Sequence, residues 1–145
     1  MLKKTIKYVD YNGVDQADEC YFNLSKAELT EMEFSKTGGF ENYITKITEE
    51  KDSKEIFKTF KEIILTSYGR KSADGKQFIK KIVRDGQTIY LRDEFEQSEA
   101  FSELMMELMS GGAEAFAEFI NALIPKELAA EIAKQQASGN MSVAE

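Results

Sequence analysis

The sequence predicts an α+β fold, predominantly helical, and three observations carry that prediction. Two runs of β-branched and aromatic residues flank a tight-turn dipeptide near the N-terminus, a capping box follows them, and apolar residues then recur at helical spacing over most of the chain. Its 145 residues suit one domain able to bury roughly 70% of its unfolded surface. We expect a mostly helical domain over 1–124, and a C-terminal helix with a frayed tail over 125–145.

The first two strands are Thr5-Ile6-Lys7-Tyr8-Val9 and Glu19-Cys20-Tyr21-Phe22-Asn23-Leu24, with Asn12-Gly13 between them. Ile6, Tyr8, Tyr21 and Leu24 do not share one alternation, so the pattern leaves room for a bulge or a turn longer than two residues. Ser25-Lys26-Ala27-Glu28 is the capping box, opening a helix to about Phe34 with Leu29 and Met32 inward. After the break at Gly38-Gly39, the spacing of Phe40, Tyr43, Ile44 and Ile47 predicts a second short helix. Asp52 or Ser53 caps a third, in which Ile56, Phe57, Phe60, Ile63 and Ile64 repeat before Tyr68-Gly69 ends it.

A second hairpin is expected near 78–91, with Phe78 to Val83 and Thr88 to Leu91 separated by Arg84-Asp85-Gly86-Gln87; a helix continuing through Phe78 to Val83 is the alternative. From Arg92 onward the chain reads as helical. Phe101, Leu104, Met105, Leu108 and Met109 form a stripe behind Ser98, a cap candidate, and Met106 widens it. Ser110-Gly111-Gly112 interrupts the run. Phe116, Phe119, Ile120 and Leu123 mark a further helix stopped before Pro125, and Leu128 and Ile132 suit a last one. The total is five or six short helices.

Composition removes several function classes. The chain has no histidine and one cysteine, which excludes His-activated nucleophiles, His metal sites and an intrachain disulfide. Cys20 sits in a strand pattern and reads as a small buried hydrophobe, at home in a reducing cytoplasm. Nineteen basic residues against 26 acidic ones give a net charge of −7, which disfavours nucleic acid and anionic membrane surfaces as partners. No apolar signal core follows Met1-Leu2-Lys3-Lys4, and no run is long enough to span a membrane. Inside this acidic chain one segment is basic: Arg70, Lys71, Lys76, Lys80, Lys81 and Arg84 face only Asp74 in sequence, which suits solvated edge lysines or pairing with acidic surfaces.

No motif completes a catalytic, metal or phosphate-binding frame. Asp93, Glu94, Glu96 and Glu99 cluster where a helix starts, and acids there are explained by the helix dipole. Neither Asp10-Tyr11-Asn12-Gly13-Val14-Asp15 nor Asp85-Gly86 completes a calcium loop, and Gly75-Lys76 is followed by Gln77 rather than Ser or Thr. The expectation is therefore a non-enzyme without cofactor or metal. Apolar surface remains. Met105, Met106, Met109, Phe116, Phe119, Ile120 and Leu123 are the candidate partner-binding residues, each weighed against packing in the core. Adjacent helical residues diverge by about 100°, so Met105 and Met106 cannot both face one core. One edge of this helical pair is left for a partner groove or self-association.

The order of motifs resembles the tail assembly chaperones of long-tailed (siphovirus-type) phages and prophages of Gram-positive bacteria. The resembling segments are Lys4-Thr5-Ile6-Lys7-Tyr8, Asp10-Tyr11-Asn12-Gly13, Tyr21 through Leu29, Gly39-Phe40-Glu41-Asn42-Tyr43-Ile44, Ser67 through Phe78, Phe95 through Leu104, and Phe119-Ile120-Asn121-Ala122-Leu123-Ile124-Pro125. Lys81 to Leu91 stands outside them. The resemblance implies a helper with no catalytic residues that keeps the tape measure protein soluble, helps recruit tail-tube subunits, works in the cytoplasm of the bacterial host and is absent from the mature virion. It also implies a short form of a pair whose longer partner arises by frameshift. A permanent structural or adaptor protein of the tail is the alternative.

Overall fold

A computed structural model describes residues 1–123, apart from the side chains at positions 41, 48 and 113. The helix and tail expected over 125–145 lie outside the described residues. The fold class is as the sequence predicts. Strands β1 (Leu2–Val9) and β2 (Asp15–Phe22) are followed by helices α1 (Lys26–Ser35), α2 (Phe40–Glu49) and α3 (Ser53–Ser67). Four short strands come next, β3 (Tyr68–Lys71), β4 (Phe78–Ile79), β5 (Lys81–Arg84) and β6 (Gln87–Tyr90), and then α4 (Leu91–Glu96) and α5 (Glu99–Leu123). Strands β1-β2-β3-β4 form an antiparallel sheet in that order, and β5-β6 form a separate ribbon.

β1 and β2 pair without a bulge from Leu2↔Phe22 to Val9↔Asp15. The five-residue turn is organised by Asp10, whose carboxylate accepts the Asn12 and Val14 amides at 2.9 Å each, while Gly13 supplies the positive φ of 78°. The register explains the uneven alternation. Ile6 shares the core face with Cys20 and Phe22, Tyr21 lies on the opposite face, and Leu24 is beyond the strand end.

The helix starts were legible locally. Ser25 and Glu28 close the capping box in both directions, at 3.2 and 2.9 Å, and the Asp52 carboxylate accepts the Glu55 amide at 3.2 Å. α3 ends at Ser67, where the sequence places its stop, but Gly69 plays another part than a helix cap. Gly69 is not a left-handed helix cap but a buried strand residue, because β3 pairs with β2 on one side and β4 on the other. A Cβ there would lie 2.5 Å from both the Ile79 carbonyl oxygen and the Phe78 ring, so only glycine allows the approach.

The second hairpin also needs correction. Phe78 and Ile79 pair with Lys71 and Arg70, whereas the hairpin proper spans Lys81 to Tyr90 around Asp85-Gly86, both at positive φ. The run breaks at Lys80, whose carbonyl accepts the Leu91 amide at 2.9 Å and whose ammonium turns inward to Glu28 and to the Asn23 carbonyl. Leu91 is the first residue of α4 rather than the last of a strand.

Aromatic rings from five elements make the core. Phe22 meets Tyr68, Phe95 and Phe119 edge-on at 5.5 to 5.9 Å between centroids; Tyr68 stacks on Phe95 at 4.0 Å, and Phe60 on Phe116 at 3.5 Å. The Leu24 amide donates to the Leu123 carbonyl at 3.4 Å, which ties the end of α5 to the exit of β2.

Candidate functional site

Helix α5 carries the residues singled out from sequence. Ser98 starts it, its hydroxyl accepting the Phe101 amide at 3.4 Å. The helix is broken at Gly112, where φ 69° and ψ −158° is a backbone state essentially reserved for glycine. Each half then aims its own apolar face at the core. Ala100, Phe101, Leu104, Met105 and Leu108 are buried before the kink; Phe116, Phe119 and Leu123 are buried after it.

Of the seven candidates, Met105, Phe116, Phe119 and Leu123 are thus packed inside, Phe116 against Phe60 and Phe119 against Phe22. A partner could reach them only by opening the fold. Met109 and Ile120 are half-buried at the core's margin, and Met106 is 63% exposed. The divergence of Met105 and Met106 is what helical geometry requires. Around Met106 the outward positions are polar: α5 contains Glu99, Glu103, Glu107, Glu114 and Glu118 and no basic residue.

Other exposed apolar side chains escaped the sequence reading. Phe34 at the end of α1 is 83% exposed, and Phe57, counted there with the inward positions of α3, is 44% exposed. The signal was present for Phe57, since it adjoins Ile56 as Met106 adjoins Met105. Val83, 74% exposed, shares the outer face of the ribbon with Tyr90.

Three of the four clustered carboxylates have structural partners. Glu94 pairs with Arg84 at 2.8 Å, Glu96 with Lys61 at 2.8 Å, and Glu99 accepts the Tyr11 hydroxyl at 2.7 Å. A cleft of about 400 Å³ between β2 and α4 is lined by Asp18, Glu19, Cys20, Tyr68 and Glu94. There Asp18 accepts the Tyr8 hydroxyl at 2.5 Å, and that bond pushes the phenol up to about 12. Burial pushes the Cys20 thiol up to about 11, so it rests as a neutral, weakly nucleophilic group. Among the described residues no group of three or more carboxylates or thiols is placed to hold a metal, and no helix is long and apolar enough to cross a membrane.

The basic segment divides in two. Lys80 and Arg84 are committed to Glu28 and Glu94. Arg70, Lys71, Lys76 and Lys81 are exposed and make no ion pair with a described residue. Burial outweighs the attraction of Glu28 and lowers the Lys80 ammonium.

On this packed scaffold the exposed apolar side chains are scattered over α1, α3, the ribbon and α5. Residues 1–145 match the family model described as phage tail assembly chaperone. The chain belongs to that family. No curated protein and no solved structure matches it. As a tail assembly chaperone it has phage tail proteins as partners.

Proposed function

We propose that the chain is a non-enzymatic holder of the tape measure protein of a siphovirus-type phage or prophage of Gram-positive bacteria. It acts in the host cytoplasm, helps recruit tail-tube subunits, through a frameshift-extended form, and leaves before the virion is complete. The observation that supports this most is Met106, a flexible apolar side chain held in solvent on a helix whose other outward charges are all acidic. Methionine adapts to varied apolar partners, and Met109 and Ile120, half-buried at the core's margin, leave further apolar area on α5. A long client helix presents repeated stripes, so several weak contacts hold it while each can release. The glutamates keep the loaded complex apart from other copies by like-charge repulsion and favour client stripes flanked by lysine or arginine.

Co-expression tests the reading. The tape measure protein should be mainly soluble with the chain present and mainly insoluble without it; equal solubility in both contradicts the proposal. Mass spectrometry of purified tails should find the chain missing, and stoichiometric amounts there would mean a permanent tail component instead.

A further inference from the structure

Helices α1 and α2 are thinly attached to the rest of the fold. α3 buries six of its residues, whereas α1 buries none of its ten. In α2 the one described side chain that is buried is Ile47, and it lies outside the contiguous core. Leu29, Met32, Phe40 and Ile44 reach only the core's margin. α1 packs chiefly on α2, and α2 chiefly on α3, so the pair joins the fold in series. Apolar burial is the main source of local stability, and a segment with little of it opens at a lower free energy than the core.

Side-chain contacts pin each helix of the pair. Glu28 in the first turn of α1 meets Lys80, and the Tyr43 hydroxyl of α2 donates to Glu55 of α3 at 2.9 Å. The backbone at both ends of α2 is left-handed. Gly38 and Gly39 enter it with φ of 80° and 95°, and Lys51 leaves it with φ of 53°. At that exit the Asp52 amide donates to the Ile47 carbonyl at 3.1 Å, a helix ending in which the left-handed position usually belongs to glycine. The lysine side chain strains the closed form there, and melting of α2 relieves it.

We infer that α1 and α2 form a lid that unfolds as one unit while the sheet, α3 and α5 stay folded. Glu28 with Lys80 is its latch, and the turn at Lys51 is where it parts from α3. Opening brings Phe40, Ile44 and Ile47, together with the side of α3 that α2 covers, into solvent, so the chain gains apolar area that the closed form hides. This opening belongs to the free chain and does not require that a client is held at Met106.

Amide hydrogen exchange of the full chain, resolved by residue, tests this. The hydrogen-bonded amides of α1 and α2 should be protected about tenfold or more weakly than those of β2 and the first half of α5. Glu28→Gln, which keeps the helix cap but loses the ion pair, should speed exchange in both helices together by about fivefold. Ile6→Val thins the core on the far element β1; it should speed the β2 amides about threefold and leave α1 and α2 within about twofold of the parent. Equal protection of α2 and β2 would overturn the proposal, as would α2 amides indifferent to Glu28→Gln. So would an equal effect of Ile6→Val on β2 and on the two helices, since the lid would then open only when the whole chain unfolds.

Discussion

Lys80 and Glu28, 52 residues apart in sequence, meet where the four-stranded sheet hands over to the ribbon. One oxygen of Glu28 accepts the Ser25 amide at 2.9 Å, and the other accepts the Lys80 ammonium, which also donates to the Asn23 carbonyl at 2.9 Å. A single carboxylate thus closes the cap of α1 and anchors the break between β4 and β5. Both side chains are about three-quarters covered, so each substitution leaves a partly buried charge without its partner. Lys80→Met should cost about 1–3 kcal/mol. Glu28→Ala should cost about 1 kcal/mol more than Glu28→Gln, because only the alanine also loses the cap. Urea unfolding of the three variants checks the order.

Gly69 makes a steric prediction. With the Ile79 carbonyl oxygen and the Phe78 ring each 2.5 Å from a notional Cβ, Gly69→Ala must push β4 away from β3, at a cost of about 2–3 kcal/mol. Gly75→Ala is the comparison: unlike Gly69 it has a positive φ of 73°, but nothing lies within 4 Å, and about 1 kcal/mol is expected. Thermal or urea denaturation separates the two.

Cys20 makes a pH prediction. Its folded thiol is raised from the ordinary 9.0 to about 11 by burial, so the folded state binds the proton more tightly than the unfolded one. The associated stability is fully present below pH 9 and is lost as pH rises toward 11. Cys20→Val should remove that part of the alkaline decline, up to about 2 kcal/mol, when urea midpoints are compared at pH 7, 9 and 10.5. At pH 8 the native thiol should react with a disulfide reagent far more slowly than the urea-unfolded chain.

Local rules made much of the fold legible, and tertiary contacts account for the rest. Ser25 with Glu28, Asp52, Ser98 and Gly112 act within a few residues of themselves, and each marks a helix boundary or break where the sequence suggested one. Tyr68-Gly69 reads in the sequence only as a helix stop, because the strand character of Tyr68 to Lys71 comes from β2 and β4, not from its own four residues. Phe78 to Val83 looks like one strand because nothing local says that Lys80 will turn inward to a carboxylate 52 residues away. At the candidate site, the rotation between neighbouring helical residues separated Met105 from Met106. Periodicity could not say that Phe116, Phe119 and Leu123 all serve the core, since an apolar stripe reads the same whether it meets the core or a partner.

The kink of α5 permits both halves of that stripe to face inward. Gly112→Ala has open space around the new methyl but places it in a backbone state that L-residues avoid, so the cost is strain of about 1–3 kcal/mol. Near-ultraviolet circular dichroism and the urea midpoint should both show looser packing around Phe116 and Phe60. If stability is unchanged, the kink is not set by glycine.

The central claim is that a client helix is held at Met106, and affinity for a purified tape measure segment measures it most directly. Val83 is the control, since it is exposed to a similar degree on a different element, the β5-β6 ribbon. Met106→Asp should weaken binding about tenfold or more, as expected where an apolar anchor is replaced by a charge, while Val83→Asp leaves it within about twofold of the parent. Equal affinity for all three proteins, or equal loss in both variants, would contradict the account.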